Sequence, residues 1–491
     1  MTDSQADRQR WAALYVLCAG MLMIVLDVTI VNVALPSIQA DLGFAQNDLA
    51  WVVNAYLISF GALLLLAGRI GDLIGQRRIF LIGLAVFSVA SLVCGLAQSQ
   101  GMLIGARFVQ GIGGALTAAV ILGMIVTMFP EPREQAKAIG VYTFVAVAGG
   151  SIGLLLGGVL TETISWNWIF FVNVPIGVAT ALLALRFVAG RAGIGLSQGA
   201  DVPGAVLLTI GLMLGVYAIL EGGEQGWGSV QIIALGIISI TLIGAFIARQ
   251  ARIANPLMPL RIFRSANVSG ANLVQGLLMA GMFGIFFLGA LYLQGILGYS
   301  ALEVGLAFLP MALVMGTMSF RFTAQLNMRF GGRATLIPGI LSLGAAMLLF
   351  ARTPLDATYV VDILPAMVLF GLGAGLAIPS LMMLAMSAAG PSDSGLASGL
   401  INTSQQLGGA IGLAVLATLA TERTDVLLGD GEQVASALNS GYHLAYVVGA
   451  VLLVVALTVT VTVLRTEAAG AQEPEAGAEL IGAEPAFSEA G

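Results

Sequence analysis

Charge is scarce in this chain. Only 9% of its 491 residues are Asp, Glu, Lys or Arg, against about 25% in an ordinary soluble protein. A soluble fold of this length could not cover its surface with so few charges. A cytoplasmic enzyme, a nucleic-acid binder and a disordered chain are thereby excluded. Histidine is nearly absent, His443 being the only one, which argues against histidine-based zinc sites and a Ser-His-Asp triad. Cys18 and Cys94 both lie in apolar runs, so no disulfide framework is expected. No phosphate-cradling Gly-Lys-Ser/Thr loop occurs, so ATP drive is not supported, and no metal or cofactor is expected. The net charge of −6 comes largely from Glu467, Glu473, Glu475, Glu479, Glu484 and Glu489. They belong to an Ala-, Gly- and Pro-containing segment, 466–491, that reads as a disordered tail.

What is abundant is apolar. Hydrophobic residues make up 58% of the chain, and 64 glycines suit close helix packing in lipid. About 20 apolar residues span a bilayer, and fourteen such runs are predicted. The first six lie near 11–36, 49–70, 79–98, 102–129, 136–161 and 167–189. Two follow near 203–221 and 229–249. The last six lie near 266–295, 303–326, 334–351, 359–388, 394–421 and 441–464. The first run is too long and too polar at its far end for a cleaved signal peptide.

The cations support this count. With the N-terminus (1–10) inside, seventeen of the 20 Lys and Arg fall on the cytoplasmic side, Arg352 and Arg423 fall outside, and Arg107 lies within a run. That asymmetry is what the positive-inside rule requires, and it puts both termini in the cytoplasm. A shift of about 260 residues overlays the fourth run on the twelfth: Gly111 and Gly113 meet Gly371 and Gly373, and Gly149 meets Gly409. The chain therefore reads as two six-helix bundles, 11–189 and 266–465, separated by two extra helices and their loops at 190–265. Such parallel repeats place a substrate path at their interface. The halves differ in charge, since Arg107 overlays Met367, Asp72 overlays Gly332 and Asp27 overlays Phe287.

Three segments carry a resemblance. Gly68-Arg69-Ile70-Gly71-Asp72-Leu73-Ile74-Gly75-Gln76-Arg77-Arg78 resembles the loop between helices 2 and 3 of the major facilitator superfamily. Arg107-Phe108-Val109-Gln110-Gly111-Ile112-Gly113-Gly114 resembles its helix 4 motif. Leu26-Asp27-Val28-Thr29-Ile30-Val31-Asn32-Val33-Ala34-Leu35-Pro36 is similar to the helix 1 signature of the fourteen-helix drug:proton antiporter branch. The resemblance covers residues 12–465 and implies an all-α integral membrane protein of the major facilitator fold. It also implies export of hydrophobic drugs or antibiotics across the cell membrane, in exchange for protons, by alternating access. One position departs from the antiporter pattern: Leu154 stands where the helix 5 motif has proline. Gly149, Gly153 and Gly157 still share one helical face, with Gly158 beside them.

Asp27 is the only carboxylate placed clearly inside a run, and an ionisable group at such depth is expensive and usually functional. Removal from water favours a neutral acid and a facing cation favours the carboxylate, so a site alternating between the two takes up and releases a proton. A structural acid is the alternative. Arg107 is the natural counter-ion. At about 1.5 Å of rise per residue, Asp27 lies about 24 Å, Gln110 about 28 Å and Arg107 about 33 Å from the cytoplasmic ends of their helices. Both direct pairing with tilt and a relay through Gln110 or water fit these depths, as does an arginine that only braces helices. Gly68, Arg69, Asp72, Arg77 and Arg78 are expected to gate the cytoplasmic mouth, with Asp72 facing the N-terminus of the thirteenth helix near Ser392 and Ser394.

Trp51, Tyr56, Tyr142, Phe283, Phe287, Tyr292 and Gln294, with Asn402, Gln405 and Gln406, are candidates to line a substrate pocket. Methionines 279, 282, 311, 315, 382, 383 and 386 could make it adaptable. Glu162, Glu221, Glu224 and Glu303 are expected to be solvated at outer ends. With Asp27 as the only deep acid, neutral or singly charged lipophilic substrates are expected, and a monocation should compete with the proton. The expected partners are a small hydrophobic substrate, protons and membrane lipids, with the protein a monomer. A lipid or lipid-conjugate transporter of the same fold is the rival. An intramembrane enzyme lacks a catalytic pair at one depth.

Overall fold

The computed structural model describes residues 3–45, 48–190, 193, 195, 201–254, 256–387 and 390–465, without side chains at 3–6, 386–398 and several positions within 132–151 and 223–224. The acidic tail and most of the 190–200 loop lie outside the described residues.

In hydrocarbon a backbone must satisfy its own hydrogen bonds, and apolar runs of this length do so as helices. The described residues form fourteen long helical segments. They are α1 (Asp3–Leu42), α2 (Trp51–Ile74), α3 (Gln76–Gly95), α4 (Gln100–Met128), α5 (Pro132–Thr163), α6 (Trp168–Phe187), α7 (Val202–Gln225), α8 (Val230–Gln250), α9 (Ala266–Gly295), α10 (Ala301–Phe330), α11 (Gly332–Phe350), α12 (Leu364–Ser387, led by a π-turn Tyr359–Ile363), α13 (Gly390–Gly429) and α14 (Val434–Thr462). Among the described residues twelve helices are long and apolar enough to cross a membrane, and the described end of α5, Ile152–Thr163, is a shorter apolar helix. In α13 the polar run 402–406 interrupts the apolar stretch. Large apolar side chains such as Leu182, Ile240 and Val451 face outward, as lipid-facing surface requires.

Helix ends follow local chemistry. Ser99, Asp201 and Ser265 cap α4, α7 and α9, each accepting a backbone N–H three residues on. Ser300 and Glu303 form a capping box at α10. Between α2 and α3 the chain reverses at Gly75, whose φ of 106° suits glycine and strains other residues.

α1 packs on α5, α3 on α4 and α2 on α4; in the second half α9 packs on α13, α11 on α12 and α13 on α14. The halves meet along α5–α10, α2–α13 and α1–α9. The inserted pair α7–α8 packs together and leans on both α2 and α13. Thr418 of α13 donates to the Ile219 carbonyl and Trp227 to Glu422. Gly153 and Gly157 let α5 close on α1: a Cβ at Gly153 would stand 2.9 Å from the Leu26 carbonyl, and one at Gly157 2.7 Å from that of Ile30. Gly149 meets Leu22 and Val25 of the same helix, while Gly158 meets the Ala301 carbonyl of α10 at 2.6 Å. Cys18 and Cys94 are free and buried.

Candidate functional site

The N-terminal half is built around a charge pair. Asp27 of α1 is fully buried and Arg107 of α4 is 1% exposed. Arg107 Nη1 donates to Asp27 Oδ2 at 2.5 Å and to Gln110 Oε1 at 2.8 Å, while its Nε donates to the Val52 carbonyl of α2 at 2.9 Å. Gln110 Nε2 donates to Asp27 Oδ1 at 2.7 Å. The two pairings left open by depth are thus both present: a direct bridge and a Gln110 contact beside it. The guanidinium also lies 4.4 Å from the Tyr56 ring centroid, a cation–π contact that holds it in plane.

Two further neutral residues complete the cluster. Asn173 of α6 donates to Asp27 Oδ1 at 2.9 Å and to Ser91 Oγ at 3.2 Å. Ser91 of α3 accepts from Gln110 at 3.1 Å and donates to the Phe170 carbonyl at 2.8 Å. Cys94 Sγ approaches Gln110 Oε1 at 3.6 Å. Every Asp27 oxygen is therefore satisfied, the condition for a buried charge to persist. Neither Asn173 nor Ser91 was marked by the sequence; a polar row on α3 and α6 at the depth of Asp27 is the signal that could have found them.

A cavity of about 950 Å³ runs between the halves. Its walls include Val25, Val28, Thr29 and Asn32 of α1, with Tyr142, Met279, Met282, Phe283, Met311, Met315, Asn402, Gln405 and Gln406. Asp27 is not among them: it occupies the other face of α1, toward α3, α4 and α6. Direct competition of a cation with the proton at Asp27, as expected from its solitary depth, is not what this geometry provides.

The cavity reaches the arginine-rich end of the bundle, where Gly68, Arg69, Asp72, Gln76, Pro256, Leu257 and Pro259 line it. At the opposite end the halves are sealed. Gln294 Nε2 donates to the Val33 carbonyl at 2.8 Å, and Leu302 N–H to Glu162 at 3.0 Å. Glu162 is exposed, as expected of an acid at an outer end, and in addition makes this cross-half contact.

Several pocket candidates lie elsewhere, because an apolar sequence does not say which face of a helix meets the cavity. Trp51 packs on Tyr217 of α7 with ring centroids 6.3 Å apart. Tyr56 serves Arg107. Phe287 is buried within its own half. Tyr292 donates to the Pro354 carbonyl at 2.7 Å, and Gln294 belongs to the seal. Met382 and Met383 are not in the cavity wall, and Met386 falls outside the described side chains. At the mouth, Asp72 is exposed and accepts from Gln76 Nε2 at 3.4 Å; Arg77 donates to the Leu185 carbonyl, and Arg78 is exposed. Among the described residues Arg69, Arg77 and Arg78 form no ion pair. Ser392 and Ser394, the expected partners of Asp72, fall outside the described side chains.

Outside the bundle interior, Asp201 ties the inserted helices together. Arg249 Nε and Gln250 Nε2 both donate to its carboxylate at 2.6 Å, and Met258 N–H reaches Gln250 at 3.1 Å. Burial raises the cost of its charge, but the bonds from Arg249, the Gly204 N–H and Gln250 outweigh it and hold the carboxyl below its ordinary value.

Helical topology, cavity and buried pair together describe a membrane transporter. The chain belongs to the major facilitator superfamily, whose model matches residues 17–413. It is 39% identical to the puromycin resistance protein pur8 of Streptomyces alboniger over 94% of this chain and 93% of that one. It is 40% identical to the cephamycin export protein CmcT of Amycolatopsis lactamdurans, with 92% of each covered. Among solved structures it resembles a bacterial homolog of the human lysosomal transporter Spinster, with TM-score 0.66 and 16% identity over 92% of this chain and 96% of that one.

Proposed function

We propose that this protein exports small lipophilic compounds, antibiotics among them, across the cell membrane in exchange for protons. Its termini and arginine-rich end would face the cytoplasm. The observation that carries the reading is the Asp27–Arg107 pair, a fully buried charge couple beside a large, mostly apolar cavity. The export activities named for the relatives support the same substrate class.

The geometry suggests how the two sites communicate. Asp27 and the cavity wall residues Val25, Val28 and Thr29 sit on opposite faces of one helix. A proton on Asp27 cancels the charge that holds Arg107, Gln110 and Asn173, freeing α1 to shift against α3, α4 and α6. That shift moves the wall seen by the ligand, so proton and ligand influence each other through α1 rather than by contact. Linkage makes the influence mutual. The energy suffices: about 150 mV supplies roughly 3.5 kcal/mol per charge, enough for a gradient of a few hundredfold at about 1.4 kcal/mol per tenfold.

The cavity favours neutral or singly charged ligands. Its inner walls carry amides, hydroxyls and methionines, and its acid, Asp72, lies at the mouth. Proteoliposomes loaded with a fluorescent lipophilic monocation test the reading. An imposed pH gradient should drive accumulation, and a protonophore should abolish it; transport indifferent to both would refute proton coupling.

A further inference from the structure

We infer that Asn173 reads the protonation state of Asp27: its side-chain amide donates to the carboxylate and, turned over, accepts from the carboxylic acid. The inference rests on Asp27 being the proton carrier proposed above.

An ionised carboxylate only accepts hydrogen bonds, whereas the protonated acid must also donate one. Among the described residues the partners of Asp27 all donate: Arg107 to Oδ2, Gln110 and Asn173 to Oδ1. When Asp27 takes a proton from water and forms an O–H bond, one neighbour has to present an acceptor. Arg107 has none to offer. Gln110 has a carbonyl, but Arg107 Nη1 occupies it at 2.8 Å and Cys94 Sγ approaches it at 3.6 Å. Turning Gln110 over would break those contacts and set its NH2 against the guanidinium.

Asn173 is different. It is fully buried, and its Oδ1 has no hydrogen-bond partner. Such an orphaned buried acceptor asks for an explanation. A half-turn of the amide brings Oδ1 to face Asp27 and relinquishes the bond to Ser91. Ser91 still accepts from Gln110 and still donates to the Phe170 carbonyl. The carbonyl is unpaired in the present orientation and the NH2 group in the turned one, so each state leaves one amide group without a partner. The α6 hydrogen-bond ladder is also weakened here: Val172 separates two helical stretches, and Pro175 has no N–H for the Phe171 carbonyl.

The titratable and charged groups around Asp27 are Arg107 from α4, Tyr56 from α2 and Cys94 from α3. Tyr56 turns its ring face toward Arg107. From α6 comes the neutral Asn173. It is a positioning residue: it acts through Asp27 and does not line the cavity.

Infrared titration of the reconstituted full chain tests this. The carboxyl band of protonated Asp27 is assigned by its disappearance in Asp27→Asn. In Asn173→Leu, which keeps the volume but offers no acceptor, that band should move to higher wavenumber. Asn173→Ser, whose hydroxyl can donate or accept by rotating, should return it part of the way. Identical Asp27 bands in the parent and Asn173→Leu would overturn the inference, as would the absence of any protonated Asp27 band. Should Asn173→Leu fail to fold, the unmutated protein labelled with carbon-13 at asparagine side-chain amides gives the answer. One labelled band should shift in step with Asp27, and no shift would overturn the inference. The proposed coupling fails separately: bands that move as expected in a protein without pH-driven transport would discard coupling and keep Asn173 as the reporter.

Discussion

The two halves of this transporter share a helical plan but differ in their interiors. The N-terminal half encloses Asp27 and Arg107 with neutral donors around them. In the C-terminal half the overlaid positions are Phe287 and Met367, both buried, and Phe286 stacks on Phe308 at 5.8 Å between centroids. Its polar contacts are uncharged, such as Ser404 with Asn272 at 2.7 Å and Gln275 with Gln405 at 3.3 Å. One half therefore holds a group whose charge a proton can cancel, while the other offers apolar and amide surface to a ligand. Chemistry that responds to protons need not be symmetric in a symmetric fold.

Making the first half resemble the second should give the largest effect. Arg107→Met leaves a buried carboxylate without its cation, and breaking a buried pair costs about 3–5 kcal/mol. A large fall in the thermal midpoint in detergent is expected. Combining it with Asp27→Leu removes both charges; most of the stability should return while transport does not. A double variant as unstable as the single one would show that the pair braces the bundle.

Glycines that meet backbone and a glycine that meets a cavity-lining ring make a second comparison. Gly153→Ala and Gly157→Ala press a methyl group onto backbone carbonyls of α1, and overpacking of this kind costs about 1–3 kcal/mol. Gly409→Ala meets the Phe283 ring, 2.7 Å from the added carbon, and that ring borders open cavity. The α5 variants should lose transport rate and thermal midpoint together, whereas Gly409→Ala should keep its midpoint and change ligand preference. Equal effects at Gly153, Gly157 and Gly409 would erase the distinction.

Smaller effects are expected where the halves touch. Glu162→Gln weakens the acceptor for Leu302 N–H and should raise thiol labelling of a cysteine at Val33 a few-fold. Asp201→Asn should be milder still. Because the Asp201 carboxyl is held below its ordinary value, its contribution is present above the usual carboxylate range and fades as pH falls through the depressed value. The variant should melt lower than the parent at neutral pH, with the gap closing in acid.

Much of this was legible from the sequence, for physical reasons that particular residues show. Asp27, Arg107 and Gln110 stood out because charge at depth is rare. Asn173 and Ser91 did not, because neutral polar groups are ordinary in helices and only a third helix brings them to the acid. Tyr142 and Phe283 reach the cavity while Trp51, Tyr56, Phe287 and Tyr292 do not, since helices apolar all round give no sign of which face is turned inward. Glu162 is solvated as its place at an outer end implied, but its bond to a helix N-terminus of the other half was not legible, because it depends on packing that no local pattern encodes.

Asp27 is the proposed proton carrier, and its removal is the most direct test. Proteoliposomes containing Asp27→Asn should bind a lipophilic monocation with near-parental affinity, because the cavity wall is untouched, yet should not accumulate it under a pH gradient. Full pH-driven accumulation by Asp27→Asn would contradict the assignment of proton coupling to the buried pair.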